Sequence, residues 1–288
     1  MKILSFGEVL WDVYPDTQYI GGAPFNFAAH IAKHGHQSYL CTSVGTDTLG
    51  KETLACLDKF GILRDCVSEC TEKETGRCLV TLDQNGIPSY RLLSHVAYDV
   101  IFPPEKPKTY FDVLYFGTLA LRTQTNRDSL QVILNKFQFH DIFVDLNLRA
   151  PYYNKDIVSF ACSHATILKI SDEELPEVLK FLDISKENDF SVIFENLAEQ
   201  YSDLNLVILT CGSKGAYVYC CKTKQEYFCE AEKVEVISTV GAGDSFSAGF
   251  LSRYLEDASM DTCLHHAVKI SALVVANQDA VPDYHIKK

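Results

Sequence analysis

The chain alternates between two hydrophobic rhythms. Short, almost wholly apolar runs at residues 3–7, 38–44, 113–117, 142–148, 165–170 and 204–210 have the length and β-branched content of buried strands. Between them the apolar residues recur at helical spacing. Phe27, Ala28, Ile31 and Ala32 form one stripe that begins near Pro24 and stops at Gly35. Further helices are predicted over 49–60, 127–137, 173–181, 245–255 and 261–277. Strands apolar on both faces, alternating with helices, predict a largely parallel sheet covered on both sides, a three-layer α/β sandwich.

One stretch breaks the rhythm. Residues 76–83 and 87–93 are strand-like and flank Gln84-Asn85-Gly86, and Asn-Gly between such runs is a strong hairpin signal. No helical pattern follows before Pro103-Pro104. Strands without crossover helices do not join a parallel sheet readily, so the hairpin is expected in a separate β element that lies over the site. An edge hairpin on the main sheet is the alternative.

Composition narrows the function. The 288 residues carry a net charge of −12, which argues against nucleic-acid or anionic-membrane partners. No apolar run reaches membrane-spanning length, and residues 1–8 do not read as a signal peptide. Eleven cysteines are scattered, with no Cys-x-x-Cys pair. Reduced, buried thiols in a cytoplasmic protein are the expectation.

The segment Ser238-Thr239-Val240-Gly241-Ala242-Gly243-Asp244 carries the most chemistry. It follows a β-branched run, Val234-Glu235-Val236-Ile237, and opens an apolar-periodic helix. Glycines allow close backbone approach and the helix start adds partial positive charge, which together make an anion cradle. Asp244 is out of place beside an anion unless it takes a proton from the group that attacks it. A helix-capping turn would account for the same residues.

Other candidates lie at strand ends. Gly21-Gly22-Ala23-Pro24-Phe25-Asn26 precedes the first long helix and suits a polyol, with Asp12 upstream as an acceptor for hydroxyls. Thr210-Cys211-Gly212-Ser213-Lys214-Gly215 follows a buried strand, where α/β proteins bind ligands. In Asp145-Leu146-Asn147-Leu148-Arg149, period-two spacing puts the three polar residues on one side. Arg149 is suited to clamp a phosphate, or to pair with Asp145 or Glu173. Ser171-Asp172-Glu173-Glu174 offers acids that would hold Mg²⁺ through water or complement a helix dipole. Two patterns are set aside. Residues 45–52 approach a P-loop, but Glu52 stands where a hydroxyl must ligate Mg²⁺. His30, His34 and His36 lack the glutamate of a zincin helix and read as surface histidines.

With these residues in hand, the chain resembles the PfkB (ribokinase-like) family of sugar kinases over essentially its whole length. The resemblance rests on Gly21-Gly22-Ala23-Pro24-Phe25-Asn26-Phe27-Ala28 and Val240-Gly241-Ala242-Gly243-Asp244, in that order. Gly7-Glu8-Val9-Leu10-Trp11-Asp12 and Asn147-Leu148-Arg149 resemble the fructokinase branch. It implies a Rossmann-like αβα core, a single domain over 1–288, and a small β lid over about 73–100 with part of 12–22. It implies phosphoryl transfer from ATP and Mg²⁺ to a sugar, with fructose foremost and 2-keto-3-deoxygluconate, ribose or a nucleoside as alternatives. A sugar or nucleotide sensor on the same fold is the non-catalytic alternative.

The family's roles fall on particular residues here. Asp244 would be the base, and Gly241, Ala242 and Gly243 would hold the transferring phosphoryl. Asp12, Gly21, Gly22, Asn26 and Arg149 would bind the sugar. Ser171, Thr210, Gly212, Gly215 and Gly243 would bind ATP, and Glu174 the metal. Lid residues such as Tyr90, His95 and Tyr98 would set specificity, and lids would pair into a homodimer. Two positions depart from the family pattern. Ser171 replaces the Asn of Asn-x-x-Glu, and Ser238 replaces an Asp beside a monovalent-cation loop, which weakens the case for K⁺.

Overall fold

Each apolar run forms a strand in the computed structural model, which describes residues 1–82, 88–104, 110–187, 189–284 and 286. In chain order the strands are β1 (Lys2–Phe6), β2 (Leu10–Val13), β3 (Gln18–Gly21), β4 (Gln37–Gly45), β5 (Ile62–Leu63), β6 (Val67–Cys70), β7 (Gly76–Leu82), β8 (Pro88–Leu92), β9 (Val113–Phe116), β10 (Asp141–Asp145), β11 (Ile167–Ser171), β12 (Leu206–Thr210), β13 (Ala216–Cys220) and β14 (Gln225–Cys229). The helices are α1 (Ala23–Lys33), α2 (Thr48–Phe60), α3 (Gln124–Lys136), α4 (Lys155–His164), α5 (Leu175–Phe181), α6 (Phe190–Gln200), α7 (Ala242–Tyr254) and α8 (Met260–Val275).

The main sheet has ten strands in the order β14-β13-β12-β11-β10-β9-β1-β4-β5, with β6 paired to β4. Pairing is parallel from β12 through to β5, and β13 and β14 add an antiparallel hairpin at one edge. Side chains alternate between the faces, as strand geometry requires. Leu4, Val144, Leu168 and Val207 pack beneath α3, α4, α5 and α6. Ile3, Phe143, Ile167 and Ile208 pack against α1, α7 and α8. Burial on both faces explains why these strands read as continuous apolar runs.

A second sheet has the order β3-β2-β7-β8. The expected hairpin is therefore in a separate β element, and β2 and β3 complete it. Its Gln84-Asn85-Gly86 turn lies outside the described residues. Leu10, Cys78, Val96 and Tyr98 form the small core beneath this sheet. No described helix is long and apolar enough to cross a membrane.

Two sequence expectations change. Strand β10 ends at Asp145, because Asn147 takes φ +42° and leaves the pleat, so period two does not extend to Arg149. His30 is buried, and His34 and His36 are half-buried; helix α1 turns this face onto the C-terminal elements. Val234, Val236 and Ile237 stand exposed outside any strand. The P-loop-like segment is a helix cap: Asp47 accepts from the Gly50 N–H at 2.7 Å and from the Thr75 hydroxyl at 2.7 Å. All eleven cysteines are free, and seven are buried. Burial pushes the Cys78 and Cys162 thiols up to about 12, well away from reactive thiolates.

Candidate active site

The C-terminal ends of the parallel strands and the start of α7 meet at one edge of the main sheet, where open α/β folds bind ligands. Gly241 enters α7 in the left-handed region, with φ +80°. Only glycine fits there, because a Cβ would lie 2.7 Å from the Ala280 carbonyl oxygen. The Ala242 N–H turns back to Thr239 O at 3.3 Å, while Ser245 and Ser271 hydroxyls donate to the Ala242 carbonyl. The first-turn N–H groups of Gly243 and Asp244 find no acceptor four residues back inside the helix. The turn is thus braced from two helices and leaves donors facing a ligand of negative charge.

Asp244 sits in that first turn and is buried. Asn26 of α1 donates from Nδ2 to Asp244 Oδ2 at 2.8 Å. Burial raises the Asp244 carboxyl to about 6; the Asn26 hydrogen bond opposes this, the Asp145 charge adds to it, and Lys169 and Arg149 oppose it. A carboxylate with that pKa is ionised at pH 7 and basic enough to take a hydroxyl proton. The other atom of the Asn26 amide, Oδ1, is buried without a partner. An unpartnered acceptor beside this carboxylate is free to accept from a ligand hydroxyl.

Beside this corner lies a cavity of about 1010 Å³. Its walls include Asp145 at the end of β10 with Asn147 and Arg149 beyond it, Ser171 at the end of β11 with Glu174 beyond it, and Thr210 at the end of β12 with Gly212 and Gly215 beyond it. Ala242 and Gly243 close one end, and the exposed Val234 and Val236 line another. The predicted nucleotide residues therefore share one cavity. Val234 and Val236 supply an apolar wall that an aromatic base would cover.

Glu174 is engaged rather than free. Its Oε1 accepts from the Leu148 N–H and its Oε2 from the Ser171 N–H at 2.8 Å, which staples the loop after β10 to the end of β11. No cluster of three or more metal-ligating side chains occurs among the described residues. The donor set fits Mg²⁺ held mainly by phosphates and water, with one carboxylate nearby.

Asp12, Gly21, Gly22 and Asn26 do not line that cavity; they stand where β2, β3 and α1 meet. Asp12 is half-buried, and a Cβ at Gly21 would lie 3.2 Å from its Oδ2. Burial raises the Asp12 carboxyl to about 6, against a hydrogen bond with Cys78 and the charge of Arg149. Gly22 has φ +107°, and a side chain there would meet the Glu8 carbonyl oxygen at 2.6 Å. Arg149 is exposed, and its charge is felt by Glu8, Asp12 and Asp244 alike. It is the cation between the two halves of the site. No ion pair joins it to Asp145 or Glu173 among the described residues; Asp145 takes Lys169 instead.

Sequence reasoning missed three residues. Lys169 is buried and donates from Nζ to Asp145 Oδ2 at 2.7 Å. The same Nζ would lie 3.3 Å from a Cβ at Gly243, which puts a cation beside the anion turn. Asp145 also accepts from Ser247 at 3.2 Å and Tyr115 at 3.3 Å. A lysine inside an apolar strand was the available signal. Glu8 is buried with Oε2 unpartnered, and burial raises it to about 7. Arg122 pairs with Asp99 through Nε at 2.7 Å and Nη2 at 3.0 Å, and Nη2 also holds Leu93 O at the end of β8. Its guanidinium lies 4.9 Å from the Tyr98 ring and 4.8 Å from that of Tyr152. It ties the small sheet to the main body. Tyr98 is fully buried, whereas Tyr90 and His95 are exposed.

A glycine turn at a helix start, a buried carboxylate, an unpartnered amide oxygen and a nucleotide-sized cavity together suit the transfer of a phosphoryl group to a hydroxyl. The comparisons agree. A probable fructokinase from Arabidopsis thaliana is 26% identical over 281 residues, covering 90% of this chain and 84% of the relative. The structure of a fructokinase with bound ATP from Xylella fastidiosa superposes with a TM-score of 0.84 at 21% identity, covering 97% of this chain and 94% of that one. A 2-dehydro-3-deoxygluconokinase structure from Thermotoga maritima gives a TM-score of 0.81 at 19% identity, covering 98% and 97%. The model of the pfkB family of carbohydrate kinases matches residues 3–286, and the chain belongs to that family.

Proposed function

We propose that the chain transfers the γ-phosphoryl group of ATP to the primary hydroxyl of a sugar, with fructose as the acceptor. The observation that carries this reading is Asp244. It is a buried carboxylate, ionised near neutrality, beside an anion turn and next to an unpartnered amide oxygen. ATP lies in the large cavity with its base against 234–236 and its phosphates toward Gly243. The sugar lies between Asp12, the Gly21-Gly22 turn, Asn26 and Arg149.

The step needs no covalent enzyme intermediate. Asp244 takes the proton of the primary hydroxyl as its oxygen attacks the γ-phosphorus, and the bond from phosphorus to the β–γ bridging oxygen breaks to release ADP. Gly243 N–H and Lys169 Nζ face the phosphoryl oxygens where negative charge is spread. Arg149 supplies charge across the gap, and Asn26 holds the base in line. Mg²⁺ would be held through water by Glu174 and by ATP itself, and it would neutralise phosphate charge. The small sheet closes over the sugar as a lid, anchored by Arg122, and is the face through which two copies would pair.

A relative named a probable fructokinase and a solved fructokinase support fructose, but the likeness to a 2-dehydro-3-deoxygluconokinase keeps a keto-sugar acid as the second reading. Arg149 favours it, since a guanidinium suits a carboxylate. Phosphorylated product from ATP, Mg²⁺ and a panel of sugars decides between them. Fructose should give the highest kcat/KM. A higher value with the sugar acid replaces fructose, and binding without turnover across the panel overturns the kinase reading.

A further inference from the structure

We propose that His30 is a positioning residue for the anion turn, and that residues 280–284 are a working part of the site. This rests on the phosphoryl-transfer reading above. The starting point is the close fit at Gly241. A Cβ there would lie 2.7 Å from Ala280 O and 2.9 Å from both Ala280 Cα and Cβ. The main chain at Ala280 is therefore the floor under the turn, with no spare room.

That floor is held by one side chain of α1. His30 Nε2 lies 3.0 Å from Ala280 O, and His30 Nδ1 lies 2.6 Å from the Tyr284 hydroxyl. A carbonyl only accepts, so Nε2 carries the proton and Nδ1 accepts from the Tyr284 O–H. His30 is fully buried, and burial pulls its pKa down to about 3, which keeps the ring neutral and this tautomer fixed. The two rings also stack, 5.7 Å apart. Val281 belongs to the same core cluster as Phe25, Ala28 and Ala29 of α1.

The helical register gives the arrangement its sense. Asn26 and His30 are four residues apart and share one face of α1. Asn26 holds the base and His30 holds the floor beneath the anion turn, so one rigid helix sets both reacting partners. Displacing a catalytic group by about 1 Å costs on the order of 10²-fold in rate.

The test compares His30→Leu, His30→Gln and Tyr284→Phe with the wild type. His30→Leu should lower kcat by roughly ten- to hundredfold, with KM for ATP and for sugar within about twofold, because the lost interaction serves the transition state. Affinity for MgADP with aluminium fluoride and sugar should fall by the same factor, while affinity for MgADP alone stays level. His30→Gln keeps an N–H donor and should recover most of the rate. Unchanged kcat in folded His30→Leu, or a loss confined to KM, overturns the proposal. Should His30→Leu fail to fold, Tyr284→Phe reads the same link: a loss of about three- to tenfold in kcat supports it, and none overturns it. A wild type that phosphorylates no sugar refutes the parent reading instead, and the two failures are thereby distinct.

Discussion

Replacing Asp244 with Asn should sharply lower turnover and stabilise the fold. The carboxyl sits at about 6 against an ordinary 3.8, so its ionised form is penalised by burial at neutral pH. At 1.36 kcal/mol per unit, the penalty is about 3 kcal/mol. An amide of the same shape avoids it and still accepts from Asn26. The sign follows from proton binding. Between 3.8 and about 6 the folded state holds more protons than the unfolded state, so stability falls as pH rises through this window. The advantage of Asp244→Asn is therefore full above about pH 6, near half at pH 5, and gone below the unfolded value. In a domain of this size the gain corresponds to roughly 5 °C in Tm. Thermal unfolding of both proteins at pH 7.5 and pH 5 reads it, and kcat should fall by about 10²–10⁴-fold. An Asp244→Asn protein that is inactive but no more stable at pH 7.5, or whose gain ignores pH, would refute the claim that the base is a desolvated carboxylate.

Three further outcomes are expected. Asn26→Ala removes the hydrogen bond that lowers the Asp244 pKa, so the acid limb of log kcat/KM against pH should move upward from about 6; an unmoved limb contradicts the assignment. Lys169→Met leaves Asp145 buried and unpaired and should destabilise by about 3–5 kcal/mol in urea unfolding. Adding Asp145→Asn should restore stability without restoring kcat, whereas restored kcat would reduce Lys169 to a structural partner. Ser238 offers no carboxylate to a monovalent cation, so exchanging K⁺ for tetramethylammonium should leave initial rates unchanged, and a marked loss of rate without K⁺ contradicts this.

What could be read from sequence divides along physical lines. Buried parallel strands are continuous apolar runs, and an Asn-Gly between strand-like segments marks a hairpin, so the two-sheet architecture was legible. The glycine turn and the acid at the start of α7 were legible as a local pattern, because a left-handed helix entry demands glycine at 241 and Asp244 follows in the first turn. The end of β10 was not, since Asn147 adopts its positive φ only in the context of the loop stapled by Glu174. Lys169 escaped because a lysine in an apolar strand marks a buried charge without revealing its partner, Asp145 on the neighbouring strand. His30 was misassigned because its partners lie some 250 residues away, at |i−j| of 250 and 254, which local pattern does not reach. Arg122 and Glu8 belong to the same class of residue, whose burial is decided by tertiary neighbours.

The central claim is that Asp244 deprotonates a sugar hydroxyl while the α7 turn holds the transferring phosphoryl. Its most direct test is a rapid-quench single turnover with γ-labelled ATP, Mg²⁺ and fructose, comparing the wild type with Asp244→Ala. The account expects label to appear in fructose phosphate within the first turnover of the wild type, and to remain in bound ATP in the variant. Labelled sugar phosphate formed at the wild-type rate by Asp244→Ala would contradict it.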